Sequence, residues 1–335
     1  MMPHLLHMTL HHKYITYLRN IRRYSERTVS NYSDALKDFV EDIHKGHEIT
    51  DEELVKSLNP SEIRQHEVHL LEKGLSARTV GLHLSALSGF CRYLMKEGML
   101  SSNPVKQVSK PKAEKRLPSF FRKDSMNEFF SSTEYLLEPE MSDAIAAGHE
   151  TESGKKAYEK LLARLVISML YSLGLRRSEL IGMNVGDVDF GRKVVKVHGK
   201  GDKMREIPLI VSLCEEILLY LKAVEEMCGG KRSLKEPLLV TYKGKRLYPM
   251  YVDRVVKSSL GNVKGVTGRK SPHVLRHSLA TELLDGGTDI NSIKELLGHS
   301  SLAATQVYTH SSIARLKSIY ESAHPRAKNG GKHGD

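Results

Sequence analysis

The sequence has few cysteines, and they form no recognisable pattern. Its 335 residues include three, Cys91, Cys214 and Cys228, and no two of them make a CxxC pair. An odd number of widely spaced cysteines argues against a disulfide framework and against a thiolate zinc site, and it is typical of a reducing compartment. We therefore expect a cytoplasmic protein.

Long hydrophobic runs are also missing. No stretch approaches the roughly 20 apolar residues that a membrane-spanning helix requires. The segment Met1–His12 mixes histidines with a few leucines and has no sustained apolar core, so no signal peptide is predicted. The sequence predicts no membrane association.

Basic residues, by contrast, are in excess. The net charge is +11 and the isoelectric point is near 9.3. Such a charge suits a polyanionic partner, because each Lys or Arg that neutralises a phosphate releases condensed counterions. Simple solubility explains the charge equally well, so both interpretations stay open at this point. The length of 335 residues, with 40% hydrophobic residues, predicts two domains with ordinary cores.

The first domain is predicted to span residues 1–97 as a helical bundle. Apolar residues recur at helical spacing through residues 9–96, and Ser25 and Ser76 stand where N-caps are expected. Four helices with short connections are predicted, which indicates a small bundle. Several basic side chains could contact DNA phosphates or form a solvated face: Arg22, Arg23, Arg27, Arg78 and Arg92.

Periodicity stops twice along the chain. Residues 98–118 are rich in lysine and interrupted by proline, which predicts a basic interdomain linker whose charge suits a path along DNA. Residues 138–156 contain Gly148 and Gly154 and are predicted to form an exposed loop, which looks like an insertion.

The second domain, residues 119–325, is predicted to be mainly α with one small antiparallel β-sheet. Strand patterns occupy Asp187–His198, around a turn at Gly191, and Met204–Leu209. Residues 326–335 are predicted to be a flexible tail. Helical patterns fall at Leu213–Val224, Val252–Leu260, Val274–Leu284, Ile290–Leu297 and Ile313–Tyr320.

Short segments of this domain offer the groups that transfer of a DNA phosphodiester needs: a nucleophile, cations for the non-bridging oxygens and an acid for the leaving oxygen. Arg176 follows Gly174, which is suited to end a helix, so its guanidinium stands at a break between two helices. Lys200 lies between two glycines at a β turn, where the backbone can approach a ligand closely. Either residue alone is more often a solvated surface cation.

Two histidines and an arginine mark the start of another helix. Ser271–Pro272 predicts the helix start, and His273 and Arg276 then share a face near its positive end, where an anion binds. His273 and His277 could instead be metal ligands. The metallohydrolase motif needs Glu after the first histidine, however, and this sequence has Val274.

The last segment contains His299 and Tyr308. Gly298 is predicted to end a helix and to leave His299 in a loop, and Tyr308 follows a short predicted helix, Ser301–Val307. A lone tyrosine is normally a core or rim residue. Together, two arginines, one lysine, two histidines and a tyrosine make a complete set for phosphoryl transfer, so neither a metal nor another cofactor is predicted.

These segments resemble the tyrosine recombinase (phage integrase) family. The family's motif is an Arg in G-L-R, a Lys in a β hairpin, an H-x-x-R pair, a later His or Trp, and a nucleophilic Tyr. The resemblance covers nearly the whole chain, because the helical N-terminal region resembles the family's SAM-like core-binding domain. Residues 271–310 are most similar to the Xer recombinases of the XerC and XerD type, although Leu173 stands where Thr is common. The catalytic residues implied are Arg176, Lys200, His273, Arg276, His299 and Tyr308.

The resemblance implies a mechanism and a partner. Tyr308 attacks the scissile phosphate and leaves a 3′-phosphotyrosine and a free 5′ hydroxyl. The arginines hold the non-bridging oxygens, His273 accepts the tyrosine proton, and Lys200 protonates the leaving oxygen. His299 hydrogen-bonds the phosphate or supports the transition state. The substrate implied is double-stranded DNA bound by a tetramer, either of this chain alone or with a second related recombinase (XerC with XerD). An FtsK-type translocase is the regulator that the resemblance suggests.

Four functions remain open from the sequence. The first is a Xer-type recombinase that resolves chromosome dimers at a dif-like site, and the second is a mobile-element integrase with the same chemistry. The third is a catalytically idle DNA-binding protein, which the complete residue set argues against. The fourth is a metal-dependent nuclease built on His273, His277 and His299, which lacks a clear carboxylate ligand.

Overall fold

The computed structural model describes residues 9–45, 47, 49–112, 120–147, 151–199, 204–261, 263, 269–298 and 326. The chain divides into two compact units, Met1–Leu117 and Pro118–Asp335. Across these described ranges, no helix has the length and apolar character needed to cross a membrane.

The first unit is a helical bundle, and its cap residues are those that the sequence predicts. The side-chain oxygens of Ser25 and Ser76 accept hydrogen bonds from the backbone N–H groups of Thr28 at 3.3 Å and Thr79 at 3.2 Å. Each bond satisfies a backbone donor that a helix start leaves without a partner. The helices are α1 (Thr9–Asn20), α2 (Glu26–His44), α3 (Asp51–Ser57), α4 (Pro60–Glu72) and α5 (Ala77–Lys96).

Helix α3 is absent from the predicted set of four. It has seven residues, too few to show an apolar periodicity, and Leu54 is its buried anchor. The sequence did contain a signal, because Thr50 and Glu53 form a capping box in which each side chain bonds the other's backbone N–H.

In the structure, the packing of the first unit continues past residue 98, where the linker is predicted to begin. A short 3-10 helix covers Pro104–Gln107, and Val105 and Val108 are buried in the same core as Leu87 and Phe90 of α5. Two valines in a lysine-rich stretch produce no periodic pattern, so their burial could not be read from the sequence. Residues up to Val108 therefore pack with the first unit.

A buried histidine faces a carboxylate in the core of the first unit. The His66 ring is fully buried, and its Nδ1 lies 2.6 Å from Oδ2 of Asp42, whose other oxygen accepts from Lys73 Nζ at 3.0 Å. His83 faces the same place, with its ring centroid 5.7 Å from that of His66. Burial lowers the pKa of His66 to about 4, although Asp42 opposes the shift. Burial also lowers the pKa of His83, against the opposing charge of Asp38.

We expect the first unit to lose stability as the pH falls from about 6.5 to about 4. In this window the unfolded chain binds a proton at His66 and the folded chain does not, so protonation favours unfolding. The pKa difference corresponds to about 3 kcal/mol. Hydrogen exchange of α2 and α4 amides in the intact chain should show this loss. His66→Gln, which keeps a donor for Asp42 and does not titrate, should flatten it, and an unchanged slope in that variant would contradict the assignment.

In its described residues, the second unit is mainly helical with a three-stranded antiparallel sheet, as the sequence predicts. The strands are β1 (Val188–Asp189), β2 (Val194–His198) and β3 (Met204–Pro208), in the order β1-β2-β3. The helices are α6 (Lys123–Ser132), α7 (Pro139–Ala147), α8 (Glu152–Leu173), α9 (Arg177–Gly182), α10 (Val211–Cys228), α11 (Pro249–Ser259), α12 (Pro272–Asp285) and α13 (Ile290–Leu297). The predicted helix at Ile313–Tyr320 lies outside the described residues.

The predicted exposed loop at 138–156 is wrong for the residues of that range that the structure describes, 138–147 and 151–156. Residues 139–147 form α7, Ile145 is fully buried in the core of the second unit, and Met141 packs against that core. Thr151 then caps α8 by accepting a hydrogen bond from the N–H of Gly154 at 3.1 Å. A nine-residue helix between acidic residues and glycines carries too few apolar residues to stand out in the sequence.

Helix α8 is the centre of the second unit and holds α12 in place. The Tyr171 hydroxyl, near the end of α8, donates to both oxygens of Glu282 on α12, at 2.6 and 2.7 Å. Burial raises the pKa of Glu282 to about 7. The Phe121 N–H donates to Ser278 Oγ at 2.7 Å, so the start of the unit also rests on α12.

Arg326, the first residue of the predicted flexible tail, is buried in the structure. Its guanidinium bonds Glu216 and Ser172, and it stacks 4.0 Å from the centroid of the Phe130 ring. Arg326 is thus part of the second unit's packing, because its charge is paired with a buried carboxylate.

Candidate active site

The turn after α8 presents Arg176, as the sequence predicts. Gly174 ends the helix with a φ of +57°, a left-handed conformation that favours glycine. A Cβ at Gly174 would stand 2.6 Å from Cδ2 of Leu297, so the turn packs tightly against the end of α13. Arg176 is the N-cap residue of α9, and its side chain is 35% exposed.

Helix α12 supplies the second arginine. It starts after Ser271 with Pro272 in its first turn, as predicted. Arg276 is buried, and its guanidinium donates to the backbone carbonyls of Gly174 and Leu297. His273, one turn earlier, is exposed at the N-terminal end of the helix. The turn that presents Arg176 is therefore also held by Arg276.

Both arginines reach the C-terminal end of α13. Arg176 Nη2 donates to the Gly298 carbonyl at 2.9 Å, and Arg276 donates to the preceding carbonyl. The last carbonyls of a helix have no partner within it and carry the negative end of its dipole. Gly298 closes α13 with a φ of +64°, as the sequence predicts.

A buried carboxylate, Glu179, lies between the arginines. Its Oε1 accepts from Arg176 Nη1 at 2.7 Å and its Oε2 from the Arg176 backbone N–H at 2.8 Å. Arg205 Nη1 and Nη2 each donate to one of its oxygens at 2.9 Å. Burial alone would raise the pKa of Glu179, but the hydrogen bonds and charges of Arg205 and Arg176 hold it below its usual value. Glu179 therefore stays ionised and orients Arg176.

Glu179 and Arg205 are not among the residues predicted from the sequence. For Glu179 a signal existed, because it stands three residues after Arg176, at the N3 position of a helix start. For Arg205 the signal was weaker: it occupies the inward-facing side of a predicted strand, between exposed Met204 and partly buried Glu206. Neither pattern points to a partner by itself.

The site carries an excess of positive charge. Among the described residues, three arginines, at 176, 205 and 276, surround one carboxylate. Burial first and the charge of Arg176 second lower the pKa of Arg276 to about 10, with Glu179 opposing. Arg276 is thus protonated at neutral pH beside like charges. A bound anion would relieve that repulsion, and the half-open Arg176 is where one can enter.

Three of the predicted site residues, Lys200, His299 and Tyr308, lie outside the described residues. The elements that lead to them are as predicted: β2 ends at His198 and β3 begins at Met204, so Lys200 falls between paired strands, and His299 directly follows the end of α13. Within the described ranges, His, Cys, Asp and Glu side chains form no cluster of three or more that could hold a metal ion.

Two sequence profiles match the chain. The profile of the phage integrase family matches residues 135–315, and that of the phage integrase N-terminal SAM-like domain matches residues 12–98. The chain belongs to the phage integrase family. It is a site-specific tyrosine recombinase, an enzyme that exchanges DNA strands.

Similar proteins of known name point to one branch of this family. The chain is 33% identical to the tyrosine recombinase XerC of Chlorobaculum parvum over 319 residues, covering 94% of each chain. It is 35% identical to XerC of Bacillus licheniformis over 328 residues, covering 95% of this chain and 96% of the relative.

Solved structures share the fold at lower identity. The XerH recombinase in a post-cleavage complex with a palindromic difH substrate aligns with a TM-score of 0.63 and 21% identity, covering 95% of this chain and 83% of that one. The Tn1549 transposon integrase in complex with transposon right end DNA aligns with a TM-score of 0.62 and 18% identity, covering 93% and 98%. These likenesses establish the fold.

Proposed function

We propose that this enzyme cuts DNA with Tyr308 as nucleophile and resolves chromosome dimers at a dif-like site in the manner of a Xer recombinase. The observation that carries the chemistry is the convergence of Arg176 and Arg276, from separate helices, at the end of α13. The segment that contains His299 and Tyr308 begins directly after α13. A phosphate bound by the two arginines would therefore lie beside the start of that segment.

The proposed reaction conserves the phosphodiester energy. The Tyr308 oxygen forms a bond to phosphorus, the bond from phosphorus to the 5′ oxygen breaks, and a 3′-phosphotyrosine results. His273 takes the tyrosine proton, and Lys200 gives a proton to the departing oxygen. Because the energy stays in the covalent link, a 5′ hydroxyl from a partner strand reverses the steps and no nucleotide is consumed.

The arginines supply most of the electrostatic stabilisation in this proposal. A free tyrosine has a pKa of about 10, so its deprotonation needs nearby positive charge. Guanidinium forks match the non-bridging oxygens and stay charged, which suits the extra negative charge of the transition state. Glu179 neutralises only one of the three positive charges around it, so a net positive charge remains, and it holds Arg176 in one orientation. His299 adds a hydrogen bond to the phosphate.

Assembly on double-stranded DNA is part of the proposal. Exchange of two duplexes needs four active sites, which implies a tetramer, either of this chain alone or with a second related recombinase. The net charge of +11 suits the DNA. An FtsK-type translocase is the proposed regulator, and action on the chromosome implies a cytoplasmic location.

A mobile-element integrase is the alternative with the same chemistry. The XerH and Tn1549 structures have TM-scores of 0.63 and 0.62, which do not distinguish the Xer role from the integrase role. The relatives named XerC, at 33% and 35% identity over nearly the full chain, favour the Xer role.

Covalent capture from genomic DNA tests this role. The protein is incubated in EDTA with sheared DNA of its source organism, and the DNA that stays attached after denaturation is sequenced. A single chromosomal locus near the replication terminus is the expected result. Recovery of element ends would favour the integrase, and covalent product only when Mg²⁺ replaces EDTA would contradict the metal-free mechanism. Arg276→Gln, which should capture nothing, controls for non-specific retention.

A further inference from the structure

Arg205 occupies a position in the second unit where a charged side chain is unusual. It lies on β3 opposite Val197 of β2, faces the same side as the fully buried Ile207, and is 5% exposed. Burial of a guanidinium is unfavourable unless charge and donors are both satisfied. The position therefore depends on its partners, and those partners belong to the candidate active site.

The contacts of Arg205 engage all three of its side-chain nitrogens. Nη1 and Nη2 donate to the two oxygens of Glu179 at 2.9 Å each, and Nε donates to the Leu296 carbonyl at 3.0 Å. A Cβ on Gly298 would stand 3.2 Å from Cδ of Arg205, so glycine at this position lets the end of α13 close onto the arginine.

The end of α13 is thereby bound by three arginines in succession. The carbonyls of Leu296, Leu297 and Gly298 accept from Arg205, Arg276 and Arg176 respectively. Two of these arginines are the proposed phosphate ligands. Arg205 differs from them, because its fork is occupied by Glu179 and faces inward, away from any substrate.

We propose that Arg205 is a positioning residue of the recombination site. It fixes the Glu179 carboxylate that orients Arg176, and it fixes the end of α13 from which the His299–Tyr308 segment starts. It also lies on the hairpin that carries Lys200, so one side chain ties together three segments that bear proposed catalytic residues. This inference rests on the proposed chemistry, and Arg205 acts through Arg176 without touching the phosphate.

The test is Arg205→Lys in the full chain. Lysine keeps the charge but lacks the planar fork, so it cannot hold both Glu179 oxygens and the Leu296 carbonyl together. The measurements are the single-turnover rate and the amplitude of covalent-complex formation on nicked suicide DNA, the DNA affinity and the unfolding midpoint.

Two matched controls separate positioning from structural support. Arg164→Lys changes an arginine with the same 5% exposure in the same unit, bonded to Glu216 at 3.2 Å away from the site. Arg192→Lys changes an arginine in the turn between β1 and β2 of the same sheet, which forms the same two-pronged pair, with Glu206 of β3 at 2.9 and 2.8 Å. Loss of structure lowers the amplitude, because fewer molecules are folded. Loss of positioning lowers the rate.

We expect Arg205→Lys to lower the single-turnover rate at least tenfold, with DNA affinity changed less than about threefold. Both controls should keep the wild-type rate. In an Arg176→Lys background, Arg205→Lys should cost less than about twofold more, since residues that act through each other are not additive.

A wild-type rate in Arg205→Lys, or a rate loss that multiplies fully with that of Arg176→Lys, would overturn the positioning role and leave the recombinase chemistry standing. Absence of covalent product with the unaltered protein on its captured site would overturn both.

Discussion

Arg276→Lys should lower the rate of strand cleavage by about three orders of magnitude while leaving DNA binding nearly unchanged. This is about 4 kcal/mol of transition-state stabilisation, at the upper end of what one preorganised donor supplies. The guanidinium is buried and is held by the Gly174 and Leu297 carbonyls, so its orientation is fixed before DNA arrives. A lysine ammonium is a point charge that cannot bond both carbonyls and a phosphate together.

Single-turnover cleavage at saturating protein measures this effect. Arg246→Lys is the matched control, because Arg246 also donates to two backbone carbonyls of the second unit, those of Ile181 at 2.7 Å and Met183 at 3.2 Å, outside the site. We expect this control to cleave at the wild-type rate. A loss for Arg276→Lys of less than tenfold would mean that Arg276 serves packing and not the phosphate.

Arg176→Ala should lower the rate of strand cleavage about as much as Arg276→Lys does, but free guanidinium should restore part of that rate. The Arg176 side chain is 35% exposed, whereas that of Arg276 is 9% exposed. A small cation can therefore enter the space that Arg176 leaves and bind the Glu179 carboxylate, which Arg205 still holds. Arg276→Ala leaves an enclosed space between α12 and α13, and we expect no restoration in that variant.

Millimolar guanidinium chloride is compared with sodium chloride at equal concentration, because salt alone weakens DNA binding. Restoration of cleavage in both Arg176→Ala and Arg276→Ala would show that the two positions are equally accessible to a small cation. Restoration of Arg276→Ala alone would reverse the roles assigned here to the open and the buried arginine.

Elements with a clear apolar stripe could be predicted from the sequence, and elements without one could not. The predicted helix Ile290–Leu297 has the bounds of α13, and Ser25 and Ser76 are the caps that the sequence indicates. Helices α3 and α7 were missed because each carries only two large apolar side chains, Leu54 and Val55 in α3 and Met141 and Ile145 in α7, which do not define a period.

In the candidate site, features set by neighbouring residues could be predicted from the sequence, and contacts between distant residues could not. The helix break before Arg176 and the helix start before His273 are local features, marked by Gly174 and Pro272. The arginine contacts with α13 join residues 91 and 122 positions apart, and no local pattern encodes them. Glu179 had a local signal as the N3 residue after Arg176, but its pairing with Arg205 could be found only once the fold had brought β3, α9 and α13 together.

The most direct test of the account identifies the residue that becomes attached to DNA. The protein is trapped on nicked suicide DNA in EDTA, digested, and the DNA-linked peptide is identified by mass spectrometry. We predict a 3′-phosphotyrosine at Tyr308, no covalent product from Tyr308→Phe despite normal DNA binding, and normal product from the control Tyr320→Phe. A covalent product that persists in Tyr308→Phe, or a link to any other residue, would contradict the central claim.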